Sequence, residues 1–509
     1  MPSLPARPSL EYLKKQAKLL LRDFDAAQPD AVARMHAANL EPGAHPRLAD
    51  AQHVIAREHG FATWAELKAS IESLARGVDP MHQLVAAIRS NDATRVRDVL
   101  QSHPEFRSRL NGTVPDAPFG MTPLLAAVYH ANLDMVDALL EAGADINGRS
   151  HWWAGGFGVL DDDRGLAPDL IERGARVDAH AASRLGMLEA LAQLVAADPG
   201  VVHARGGDGQ TPLHVAKNVE VAGFLLDHGA DIDAIDVDHE STPAQYLVRD
   251  RPEVARFLVS RGCRTDILMA AALGDIALAR RLLDADPDSV RTSVDQQYFP
   301  MRDPRAGGAI YIWTLGAHRT AHVVAREFGH EDVFQLLMER TPEDLQLAIA
   351  CEIGDEALFQ NLSRGRSDRG RALAAGEGRK LVDAAQNNNI SAVRLMLSAG
   401  WPVDARGQHH ATALHWAAWH GNAAMVREIL GHDPPVDVRG DEYDLSPLGW
   451  ALHGSVHGWH RDTGDYGGTV QALLAAGAVP PPSRGDLVPS EAAREVLHRH
   501  VTEEGSSSP

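Results

Sequence analysis

Apolar residues recur along this chain in short helical stripes, each followed by a glycine and a small Asp-rich stretch. In Thr412–Gly440 (TALHWAAWHGNAAMVREILGHDPPVDVRG), Val426, Ile429 and Leu430 fall at the spacing of one helix face. Thr122–Asn147, Thr211–Ala234 and Thr242–Asp266 follow the same frame, with Thr-Pro at the start, an apolar helix, a glycine, then an Asp-containing turn, and the first also has the pair of small residues. Thr211 and Thr242 stand 31 residues apart, and Thr412 and Ser446 stand 34 apart. The pattern predicts two short helices per repeat and an extended finger between repeats.

Each recurring position has a physical reason. Thr before Pro opens a helix, because its hydroxyl accepts from a free N–H and Pro fits the first turn. Ala126, Ala127, Ala417 and Ala418 let neighbouring helices approach closely. Gly143, Gly229 and Gly262 stand where the second helix must end in a left-handed conformation. Weaker copies of the frame occur at His82–Leu100, Asp178–Val195, Thr265–Leu283, Thr320–Leu337, Leu345–Leu362, Arg379–Leu397 and Ser446–Leu474, with a degenerate one at Trp152–Asp178.

The T-P-L-H start, the small pair and the G-A-D-I-[ND] ending, recurring together, resemble ankyrin repeats, whose period is about 33 residues. The resemblance implies an all-α solenoid of stacked helix-turn-helix units with β-hairpin fingers, about twelve units across residues 81–480. Residues 1–80 lack the signature. There Ser9–Phe24 reads as an amphipathic helix and Asp50–Leu74 as a helical hairpin turning at Gly60, an arrangement similar to the helical leader before ankyrin arrays in bacterial proteins. They are expected to cap the first repeat, with a separate docking domain as the other reading. A capping helix is expected within 481–500, and the polar end, 501–509, is expected to be disordered.

Charge and composition narrow the function. Lys+Arg 49 against Asp+Glu 69 leaves −20, which argues against a nucleic-acid backbone as partner. No run of about 18 apolar residues could span a bilayer, and no signal-peptide core follows the start, so a cytoplasmic location is expected. The two cysteines, Cys263 and Cys351, cannot build a disulfide framework and read as packing residues.

Three insertions break the period, at 150–165, 296–317 and 455–468; in solenoids such loops gather on one face. The first, HWWAGGFGVLD (His151–Asp161), reads as a pinned core plug, with a ligand platform around Trp153 as the alternative. In the second, Tyr311-Ile312-Trp313 alternates like a short strand, suggesting a small hairpin against the groove. The third, HGWHRDTGDYGG, follows a cluster dense in Trp and His: five of nine tryptophans fall within Trp401–Trp459, and eight of 26 histidines within His409–His460. Ser446–Ser455 aligned on Thr412–Gly421 sets Trp450 over Trp416 and His453 over Trp419.

In ankyrin folds the two positions after the small pair face the concave groove. By that rule Tyr129, His130, Trp419, His420 and His453 face outward, as do Arg249, Asp250, Glu327 and Gln386. His453 and His457 share a helix face only if the helix survives Gly454; His460 and Asp462 could join them around a metal, but a hydrogen-bonded aromatic surface is the stronger reading, and neither metal nor cofactor is expected. His214 and His415 occupy the T-P-L-H position and read as structural. The acidic finger Asp236–Glu240 reads as a polar hairpin tip rather than a cation site.

No G-x-S-x-G elbow, P-loop, H-E-x-x-H or paired zinc cysteines occur. The leading expectation is an interaction protein that holds a protein or peptide in its groove, as the ankyrin resemblance implies. The alternative is a small-molecule receptor or enzyme built from the insertions, with Trp153, Tyr311, Trp313, Trp419, His420, His453, His457, His460 and Asp462 around one pocket and a histidine as general acid or base.

Overall fold

In three repeats the start of the first helix is fixed by a side chain three residues in: His214, Gln245 and His415. In a computed structural model of the chain, Nδ1 of His415 accepts from the Thr412 N–H at 3.1 Å, which leaves its Nε2–H to donate to the Leu445 carbonyl in the next finger at 3.3 Å. His214 does the same with Thr211 at 3.0 Å and Ser241 at 3.1 Å. Each imidazole therefore closes one helix and clasps its neighbour, as the structural reading required. The second helices open on a different cap: Asn132, Asn218, Asn389 and Asn422 accept from the N–H three residues on. The residues described are 10–25, 28, 31–32, 34–35, 48–59, 61, 63–64, 67–68, 80–115, 117–162, 164–364, 378–440, 444–481 and 489–506.

They form two compact units, one within 1–181 plus 206–208, the other within 182–205 plus 209–509. In the first unit, helices Leu10–Asp25 and Leu48–Glu58 share a core of Leu13, Ala17, Leu20, Ala51, Val54 and Ile55, and Arg34 grips Glu58 through two bonds of 2.7 and 2.8 Å. The turn expected at Gly60 and the end of that hairpin lie outside the described residues. Two repeats follow, Pro80–Arg89 with Ala93–Ser102 and Pro123–Tyr129 with Leu133–Glu141, first helix on first and second on second. Asn132 Nδ2 reaches Asn91 Oδ1 at 2.7 Å, so the turns between helices are linked from repeat to repeat.

The first insertion is pinned inside this unit by its own backbone. Ser150 N–H donates to the Phe157 carbonyl at 2.8 Å, and Arg149 holds the Gly156 carbonyl and Asp161. Phe119 packs edge-on against Trp152 at 5.1 Å and Phe157 at 5.6 Å. Trp152 and Trp153 are half-buried.

In the second unit the pairs run from Leu188–Ala197 to Pro447–His457 with Tyr466–Ala475, and the helix Glu491–Ser506 packs on the last of them. That terminal helix continues six residues beyond the expected cap, into the segment expected to be disordered; residues 507–509 lie outside the described residues. First helices Arg379–Gln386, Ala413–Trp419 and Pro447–His457 pack in succession, and so do second helices Ile390–Ser398, Ala423–Leu430 and Tyr466–Ala475. Gly229 and Gly262 end their helices at φ 89° and 90° with open space around them, so backbone conformation, not room, demands glycine there.

Among the described residues no strand occurs. The fingers are tight turns closed by single bonds, such as Asp236 N–H to Ser241 O at 3.2 Å and Gly407 N–H to Ala411 O at 2.9 Å, rather than ladders. Cys263 and Cys351 are buried, and burial pushes both thiols up to about 12. No described helix is long and apolar enough to cross a membrane.

Several buried histidines make this unit acid-sensitive. Removal from water holds His322 down at about 3, and His415 and His420 at about 4. The unfolded chain, with histidines near 6.5, takes up protons that the fold refuses. Their contribution is therefore complete above about pH 6.5 and is lost as pH falls toward 4, on the order of 1–2 kcal/mol each by pH 5. Asp383, raised to about 6 by burial, works the other way and offsets part of the loss. Urea midpoints followed by tryptophan fluorescence are expected to drop between pH 7.5 and 5.0; a constant or rising midpoint contradicts the buried neutral imidazoles.

Candidate functional site

The Trp/His-rich repeats of the second unit build one continuous aromatic assembly. Equivalent positions on successive first helices meet, as the alignment of the two repeats implies: Trp416 and Trp450 pack edge to face at 5.1 Å, and Trp419 stacks on His453 at 5.8 Å. The third insertion then lays Trp459 over them, nearly parallel to Trp416 at 6.0 Å and perpendicular to Trp419 at 6.2 Å. Trp416 and Trp450 are buried beneath this layer, whereas Trp459 is 62% exposed. Such ring pairs are worth about 0.5–1.5 kcal/mol each beyond burial. The base is buried; its top is open.

Glycines allow the close approach. The helix Pro447–His457 runs unbroken through Gly454, where a Cβ would sit 2.6 Å from the Trp419 carbonyl oxygen. Tyr466 donates its hydroxyl to that same carbonyl at 2.8 Å, and burial raises the phenol to about 12. Since the helix survives Gly454, His453 and His457 do share a face, with ring centroids 4.5 Å apart.

His420 and Gln386 are not outward-facing as the position rule places them. His420 is only 3% exposed: its Nε2–H donates to the Gln386 carbonyl at 2.9 Å, and Trp459 and His460 of the inserted loop cover it, at 5.6 and 5.1 Å. Its Nδ1 is buried without a partner among the described residues. Gln386 is buried because its amide donates to Gln408 in the following finger at 2.9 Å. His460 is half-buried; His457 and Asp462 are exposed, the latter 3.6 Å from Arg461. Beside the loop lies an open hollow of about 380 Å³ bordered by Asn388, His420, Asn422, Arg427, His460 and Asp465.

Arg249, Asp250 and Glu327 are exposed, as expected. In the first unit Tyr129 is 51% exposed under the Arg164 guanidinium at 4.4 Å, and His130 is half-buried beside it.

The second insertion corrects two expectations. Its Tyr311–Trp313 segment is a helical turn, not a strand: Ile312 N–H donates to Ala309 O at 2.9 Å and Trp313 N–H to Ile310 O at 3.0 Å. Residues two apart also point away from each other on a helix, so three alternating residues do not separate the two. Tyr311 is fully buried, with its hydroxyl on the Asp266 carboxylate at 3.0 Å, while Trp313 is 67% exposed.

The finger Asp236–Glu240 holds this insertion. Glu240 Oε1 accepts from the N–H groups of Arg302 and Asp303, both at 2.8 Å. His239 Nδ1 bonds the Gly308 carbonyl at 2.8 Å, the Asp238 carbonyl accepts from Gly307 N–H at 2.9 Å, and Ser241 Oγ accepts from Ile310 N–H at 3.0 Å. Farther along, Arg249 grips the Thr314 carbonyl at 2.7 Å and Asn387 the Ala317 carbonyl at 2.8 Å. Asp236, pushed up by burial, is tied internally by Ser241 N–H, His239 N–H and the Tyr246 hydroxyl. Sequence reasoning missed this docking role, although the buried-acid finger and the long insertion were both visible.

Comparison with known families agrees with the repeat geometry. A profile of the family described as Ankyrin repeats (3 copies) matches residues 179–269, 347–440 and 381–458, and the single Ankyrin repeat profile matches 119–151. No curated protein matches the chain.

Gly454→Ala is expected to destabilise the second unit by about 1–3 kcal/mol, because the added methyl meets backbone rather than a flexible side chain. Gly467→Ala, where the nearest atom lies 3.8 Å away, is the control. Equal urea midpoints for the two variants contradict the close approach.

Proposed function

From the premise that this chain is an ankyrin-repeat protein, we propose that it binds a protein or peptide partner through the ends of its first helices, anchored on Trp459. Ankyrin repeats are generally protein-interaction modules. The supporting observation is an indole 62% exposed on a fixed aromatic base. Covering apolar surface is worth about 25 cal/mol per Å², and a preorganised ring loses little freedom on binding. Buried anchors ringed by polar groups are the usual pattern of interface hot spots. Here Trp419 flanks the anchor, His453 stacks on Trp419 beside His457, and Arg461 and Asp462, exposed two and three residues on, supply the polar rim. Trp313, 67% exposed on the second insertion, is a second contact in the same class.

The net charge of −20 favours a neutral or basic partner face over an acidic one. The small-molecule reading needs the insertions to share a pocket. The cavities beside the second and third have no lining residue in common.

Affinity capture from a lysate of the native host, read by mass spectrometry, tests the proposal. Proteins retained by the wild type are expected to be lost, by about tenfold or more, with Trp459→Ala, assayed at a temperature where the variant, short of three ring contacts, is still folded. Arg394→Ala, which removes an exposed ion pair to Glu428 between second helices, is expected to retain them. Retention that is indifferent to Trp459→Ala contradicts the assignment.

A further inference from the structure

The joint between the second insertion and the acidic finger holds a half-open cavity of about 180 Å³ that the partner reading leaves unused. Its lining combines apolar side chains, Ile235, Phe299, Met301 and Ala309, with two exposed arginines, Arg264 and Arg302. A cavity of about 150 Å³ is enough for a benzene ring, so one ring and a short polar head fit the volume.

The arginine pair is unusual in a chain of this charge. The Arg302 guanidinium makes no hydrogen bond or ion pair with any described residue; only its backbone N–H is engaged, by Glu240. Arg264 has a single distant partner, Asp233 at 3.9 Å. Glu240 also borders the cavity, but its Oε1 is taken by the two backbone N–H groups of the insertion. Gln245 and Ser241, the other polar groups here, are likewise committed, to Thr242 and Asp266 and to His239 and Ile310. What the cavity offers a ligand is therefore two guanidinium groups beside apolar side chains, a net positive lining once the Glu240 carboxylate is counted.

We propose that this cavity is a binding site for a carboxylate carrying an apolar or aromatic body of about one ring, with Arg264 and Arg302 as the carboxylate clamp and Phe299 and Met301 against the body. Guanidinium groups match carboxylates through paired, charge-assisted bonds. The same chemistry arises from a free aryl acid or from the C-terminal residue of a peptide. The site does not depend on the Trp459 shelf.

Titration of the full chain with phenylacetate and with N-acetylphenylalanine, observed by ligand-detected NMR and calorimetry, distinguishes the two sources. At least one is expected to bind, the tighter identifying a free acid or a chain end, and the corresponding amide is expected to bind at least about tenfold more weakly. Arg264→Met and Arg302→Met are each expected to cost about tenfold at an unchanged thermal midpoint, since both side chains are exposed, while Trp459→Ala leaves binding unaltered. Absence of binding by both acids, amides that bind as well as acids, or full affinity in the double arginine variant would overturn the proposal.

Discussion

A pair of helices such as Ala413–Trp419 and Ala423–Leu430, seven and eight residues long, has too little interior to fold alone, so each repeat depends on the apolar face of the next. Everything placed on these repeats inherits that constraint. In the second unit the dependence is written into single side chains: His214 and His415 close their own helices with one ring nitrogen and hold the neighbouring finger with the other. The imidazole has to be neutral to accept with one nitrogen while donating with the other, so helix capping, repeat stacking and protonation state are a single condition.

The aromatic shelf extends the same logic from the backbone to the surface. Trp416 and Trp450 occupy equivalent places on adjacent first helices, and stacking brings them into edge contact without any special loop. The insertion then adds a roof instead of a wall. By placing Trp459 on Trp416 and letting Tyr466 reach the Trp419 carbonyl, it converts two periodic core residues into the foundation of an exposed ring. Gly454 and Gly464 are required by proximity, with carbonyl oxygens of Trp419 and His420 2.6 Å from where a Cβ would stand.

Much of this was legible in the chain. Thr-Pro-Leu-His, the small pair and the glycine after the second helix specify a repeat because each answers a local need for a cap, a close approach or a left-handed residue. The pairing of Trp450 with Trp416 followed from period alone. What was not legible came from segments outside the period. A rule that assigns His420 to the groove by its place in the helix carries no knowledge of a loop forty residues later that covers it. Three alternating residues at Tyr311–Trp313 read as a strand, and a helical turn alternates as well. Gln386 was hidden by a neighbour, Gln408, from the next finger. The turn asparagines, Asn388 and Asn422 at 2.8 Å, follow the period yet were passed over beside the stronger apolar signal.

The finger's hold on the second insertion is notable for what it touches. Glu240, Asp238, His239, Ser241, Arg249 and Asn387 all meet amide or carbonyl groups of residues 302–317, and none of these six grips depends on a side chain there. Anchorage and display are thus largely separated: apart from Tyr311, whose buried hydroxyl meets Asp266, substitutions can rewrite the loop's outer lettering while its attachment stays as it was. A scaffold with that property can acquire new specificities at one loop without renegotiating its fold.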